Sequence, residues 1–185
     1  MDSSRAPGAT CSNSFVSDDC GRAPVSGTPQ KVLILGIGNV LMGDEGVGVH
    51  AIGALQREHW PTHVELLDGG TGGFHLLSYL QDFPRVIMID ATMDGNPPGT
   101  VRMLRPRFAS DFPRALSAHD IGLRDLVETA TLSGLLPEIH LITVSIAKVQ
   151  PMVMELSGEI RNALPRIAEE VRRILNTIST EAKPA

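Results

Sequence analysis

Three residues in this sequence have the types and neighbourhoods of a metal-handling site: Glu45, Asp90 and His119. Glu45 comes near the end of a glycine-rich stretch, Gly36-Ile37-Gly38-Asn39-Val40-Leu41-Met42-Gly43-Asp44-Glu45-Gly46. Asp90 follows the apolar run Val86-Ile87-Met88-Ile89, and His119 ends a long loop-like stretch. Two carboxylates and one imidazole suit a borderline divalent transition metal. Three protein ligands with open positions describe a reactive or recognition site rather than a closed structural one. Each residue also has a structural reading. Glu45 could balance a helix dipole, Asp90 could cap a loop, and His119 could cap or pack a helix start. The metal reading depends on all three reaching one edge of the fold.

Rival chemistries find less support. A dinucleotide fingerprint would need glycine at position 41, and Leu41 stands there. There is no HExxH helix and no GxSxG elbow, and the chain beyond residue 30 has no cysteine nucleophile. His50 and His75 fall within helical patterns, His59 and His63 flank a turn, and His140 enters a strand. Asp68 has the same strand-end position as Asp90, but suits holding the turn Asp68-Gly69-Gly70-Thr71.

The elements that must position these residues alternate between strand and helix. Val32–Gly36 is a continuous apolar run, as in a strand buried on both faces. A helix is expected from about Asp44, as N-cap, to Glu58, with Val49, Ile52 and Leu55 on one stripe. Val64–Leu67 reads as a second strand, followed by a helix capped by Thr71 and carrying Phe74, Leu77 and Leu80. Arg85–Asp90 is a third buried strand. The connection Ala91–Gly99 is too short for a parallel crossover, so the next strand, Thr100–Leu104, is expected to run antiparallel. Residues 105–118 form a long loop that can bring His119 back to the edge holding Glu45 and Asp90. A third helix starts near Asp120, with Leu123, Leu126, Val127 and Ala130 at helical spacing. Ile139–Ile146 is a fifth strand. The last helix runs from about Ser157 to Ile178, with Pro165 expected to kink or split it. The pattern predicts an α/β fold, three α/β/α layers around a mostly parallel sheet. Ligands of such sheets bind beyond the carboxyl ends of the strands.

At 185 residues, with 42% hydrophobic and 20% charged side chains, the chain has the size and balance of one globular domain. A net charge of -5 without basic clusters argues against nucleic acid or an anionic membrane surface as partner. No apolar run is long enough to span a membrane and no signal-peptide core is present, so a cytoplasmic location is expected. Residues 1–30 are rich in small and polar types and read as a disordered extension carrying two unpaired thiols, Cys11 and Cys20. The domain is expected over residues 31–178, with 179–185 a flexible tail.

Taken in order, the motifs resemble those of the hydrogenase maturation endopeptidases. The resemblance covers roughly residues 31–178 and rests on the glycine-rich loop with Asp44-Glu45, on Asp68-Gly-Gly-Thr, on Asp90-Ala91, and on His119-Asp-Ile-Gly-Leu. It implies a five-stranded mixed sheet with the fourth strand antiparallel. It also implies an aspartyl-type endopeptidase that trims the C-terminus of a nickel–iron hydrogenase large-subunit precursor, and a monomer is expected. Glu45, Asp90 and His119 would be the metal ligands, with nickel supplied by the substrate. Asp90 or Glu45 would serve as general base. The alternatives are a nickel-binding, chaperone-like module that holds the large subunit without cutting it, and a nucleotide-binding α/β module. Two departures from the family pattern stand out: the N-terminal extension, and the stretch holding Lys148 and Gln150, where many members place a glutamate.

Overall fold

A computed structural model of the chain describes residues 30–71, 73, 76–106, 111, 127–132, 134 and 136–181. The extension and its cysteines, Phe74, most of the 105–118 loop, His119 and the start of the third predicted helix lie outside the described residues.

Five strands form one sheet: β1 (Val32–Gly36), β2 (Val64–Asp68), β3 (Arg85–Thr92), β4 (Val101–Leu104) and β5 (Glu138–Ser145). Their order is β2-β1-β3-β5-β4. All neighbours pair in parallel except β4, which is antiparallel to β5 as the short connection predicted. The helices are α1 (Val47–Leu55), α2 (Leu76–Asp82), α3 (residues 127–132) and α4 (Gly158–Glu181).

Alternation along the buried strands sorts the core into two layers. Ile34, Ile87, Ile89, Ile142 and Val144 pack with α1 and α4. Leu33, Leu35, Val86, Met88 and Leu141 pack with α2 and Val127 of α3. Full burial of each such side chain contributes about 1.5–3 kcal/mol. Among the described residues, no helix is long and apolar enough to cross a membrane.

Several local expectations need correction. The helix after β1 does not start at Asp44. A 3-10 turn, Gly43–Gly46, comes first and α1 begins at Val47. Asp44 makes no side-chain cap there, because its Oδ1 accepts the backbone N–H of Ser157 at 2.7 Å. Helix α2 is described over Leu76–Asp82 and Gly73 is not helical, so Thr71 does not cap it; the buried residues among those described are Leu76 and Leu80. Strand β3 continues past Asp90 to Thr92, because Ala91 and Thr92 keep their pairing with Val144 and Ser145. Pro165 does not divide α4, which is one helix of 24 residues. Pro165 is exposed, and Ile160, Ala163, Ile167, Val171 and Ile174 bury the opposite face. That burial outweighs a local cost of ~3 kcal/mol. Helix α4 also passes residue 178 to Glu181, with the Ser179 and Thr180 hydroxyls donating to the carbonyls of Leu175 and Asn176.

His140 is fully buried on β5, with Nε2 3.2 Å from Oε1 of Glu138. Burial holds its pKa below the usual histidine value, helped by Arg105 and opposed by Glu138 and Glu181. The unfolded chain therefore takes up a proton that the folded chain resists, so stability falls as pH drops through about 6.5. His140→Leu is expected to flatten this dependence. Thermal melts at pH 7.5 and 5.5 should show a smaller difference for the variant than for the wild type.

Candidate functional site: two buried carboxylates at the switch point of the sheet

The chain leaves β1 through α1 towards β2 on one side, then returns through α2 on the other face to β3. The sheet therefore changes winding direction between β1 and β3, and a crevice opens there at the carboxyl ends of the strands. The glycine-rich loop after β1 lies over this crevice. Ile37 N–H donates to Ile89 O at 2.9 Å, and Gly38 N–H to Gly70 O at 2.7 Å. The Gly43–Gly46 turn contacts β3.

The turn that carries Glu45 thus packs against β3, the strand that carries Asp90. Glu45 lies in the 3-10 turn with no exposed surface, and Asp90 lies on the facing strand at 1% exposure. One oxygen of Asp90 accepts the N–H of Ala91 at 2.8 Å, which fixes the rotation of the carboxylate. Alternation puts Asp90 on the Met88 side of the sheet. Two carboxylates buried this deeply are costly unless something compensates their charge. His119 lies outside the described residues, and among those residues no three His, Cys, Asp or Glu side chains form a metal-binding group. Asp68 stays apart from the pair in role: its Oδ1 accepts the N–H of Gly70 at 2.8 Å and holds the turn, as its sequence context suggested.

Glycines allow the loop to come so close. A Cβ on Gly38, whose φ is +146°, would lie 2.1 Å from Glu45 O. A Cβ on Gly48 would lie 2.2 Å from Ile37 O and 2.4 Å from Ile89 O, and one on Gly36 2.2 Å from Gly48 O. Gly36 and Gly48 thus make the tight strand–helix approach that a nucleotide fingerprint assigns to the position of Leu41. Sequence reasoning included Gly48 as the end of the glycine-rich motif but gave it no packing role; its only local sign was the further glycine two residues after Gly46.

The segment after β5 braces the same turn. Gln150 Oε1 accepts the N–H of Asp44 at 3.3 Å, and Gln150 N–H donates to Met42 O at 3.2 Å. Gly43 N–H donates to Val153 O at 2.7 Å. Gln150 is therefore a contact that supports the Glu45 turn.

Comparison with known proteins agrees with this architecture. A family model described as hydrogenase maturation protease matches residues 49–174. The hydrogenase expression/formation protein HupD of Rhodobacter capsulatus is 37% identical over 155 residues, covering 79% of this chain and 72% of the relative. The hydrogenase 2 maturation protease of Escherichia coli is 32% identical over 158 residues, covering 83% of this chain and 96% of the relative. The solved structure of the E. coli hydrogenase maturating endopeptidase HybD superposes with a TM-score of 0.67 at 32% identity, covering 77% of this chain and 93% of that one. With the same α/β sheet, a family model over residues 49–174 and a relative 32% identical across 83% of the chain, this chain belongs to the hydrogenase maturation protease family.

Proposed function

We propose that this protease removes the C-terminal peptide of a nickel–iron hydrogenase large-subunit precursor after nickel has been inserted. Glu45, Asp90 and His119 would complete the coordination of the substrate's nickel. The observation that supports the reading is the burial of Glu45, on a turn packed against β3, and of Asp90, on β3 itself, at the switch point of the sheet. Nickel here belongs to the substrate, held by cysteines of the precursor near the cleavage point. Docked against the two carboxylates, it would fix the scissile peptide in one orientation. Asp90 or Glu45 would accept the proton of the attacking water as general base. Water adds to the peptide carbonyl, the C–N bond breaks, and the proton leaves on the new amine.

This arrangement makes nickel a checkpoint, since an empty precursor offers the carboxylates nothing to bind. Mass spectrometry of the precursor's C-terminus tests it. Nickel-loaded precursor is expected to lose the peptide, and nickel-free precursor to stay intact. Equal cleavage of both would remove the checkpoint. Binding of the loaded precursor without any loss of mass would favour a chaperone over a protease.

A further inference from the structure

The described large hydrophobic side chains that stay exposed are not scattered evenly. Leu41, Met152, Val153 and Met154 are exposed together on two segments joined by a parallel bridge between Met42 and Val153. This ledge adjoins the Glu45 turn, through the Gly43 N–H to Val153 O bond. Met152 is 87% exposed and has φ +63°, the only left-handed non-glycine residue among those described. Such a conformation is strained for a residue other than glycine, and here it holds a methionine out into solvent. Methionine is well suited to an adaptable contact surface.

The ledge leads into a groove of about 450 Å³ between α1 and α4. Met154 belongs to both, and its carbonyl is anchored 3.1 Å from Nε2 of His50. Val40, Val49 and Leu164 give the groove an apolar lining, and Arg57 and Arg161 against the single carboxylate of Glu155 leave it a net positive charge. A segment with apolar side chains and a carboxylate fits this lining.

We infer that the ledge and groove dock the precursor protein itself, gripping an apolar, carboxylate-bearing segment outside its cleavage point. This rests on the substrate proposed above. Continuity with the Glu45 turn selects this occupant, because the ledge is hydrogen-bonded to that turn through Gly43 and Val153. The contact supplies affinity and leaves the chemical step to the carboxylates.

The test measures binding apart from cutting. Nickel-loaded precursor is titrated against wild type, Met152→Asp/Met154→Asp and Leu132→Asp by biolayer interferometry, and processing is followed by mass spectrometry. Leu132 is an exposed control on α3, across the sheet. The double variant is expected to bind at least tenfold more weakly, with KM raised to match and kcat within twofold of wild type. The control should change neither. Unaltered binding by the double variant overturns the docking surface even if processing is normal. So does an equal loss in the control, or no binding by wild type. Wild type that binds but does not cut leaves the docking surface standing and removes the processing reading. If the double variant misfolds, Met152→Asn alone decides, since asparagine tolerates the left-handed backbone. It should weaken binding at least threefold, and no change overturns the inference.

Discussion

Glu45→Gln and Asp90→Asn are each expected to slow precursor processing at least about a hundredfold without lowering Tm. Both replacements keep the size of the side chain and remove its charge. Both carboxylates are buried. Each amide keeps an acceptor oxygen and nearly the same volume, so stability should change little. Loss of rate with unchanged Tm is therefore the signature of groups retained for chemistry. A helix-dipole or loop-capping role predicts the reverse, lower Tm with intact processing. Processing of nickel-loaded precursor within threefold of wild type would remove the residue concerned from the site. His119→Ala, assayed alongside, tests the third ligand that the family resemblance implies.

The second large effect concerns stability. Gly48→Ala is expected to cost about 3 kcal/mol. Its new methyl would have backbone carbonyl oxygens of Ile37 and Ile89 at 2.2 and 2.4 Å. Neither carbonyl can yield as a flexible side chain could, because Ile89 O already accepts from Ile37 N. In a chain of this size the loss corresponds to a fall in Tm of roughly 10 °C. Gly53, in the same helix, has no neighbour within 4 Å of an added Cβ. Gly53→Ala should raise stability by up to about 1 kcal/mol through helix propensity. Opposite shifts for two glycine-to-alanine changes in one helix would isolate the close approach as the cause. Similar melting curves for both would refute it.

The residues most legible in the sequence were those fixed by local pattern. Asp90 follows a run of apolar residues that could only be a buried strand, and Glu45 follows a glycine loop after another. The topology then had to bring the two carboxyl ends together. The antiparallel β4 was legible from the length of one connection. Less legible was anything set by distant contacts. Asp44 looks like an N-cap until Ser157 claims its carboxylate. Asp90 looks like a strand end until β5 keeps pairing beyond it. Pro165 looks like a break until the buried face of α4 is counted. Gly48 carries no local sign of the two carbonyls that crowd it. Local propensity is a weak force, and these four cases are where tertiary packing overrode or defined it.

The bond from Ser157 to Asp44 joins residues 113 positions apart. Asp44 is the neighbour of Glu45, and Ser157 directly precedes α4. The turn that presents the first carboxylate is therefore secured by a segment that follows all five strands in the chain. A nascent chain holding only β1 to β5 would still lack this anchor and the cover that α4 gives to one face of the sheet. A chain cut before Ser157 would thus carry both carboxylates without the frame that aligns the first of them.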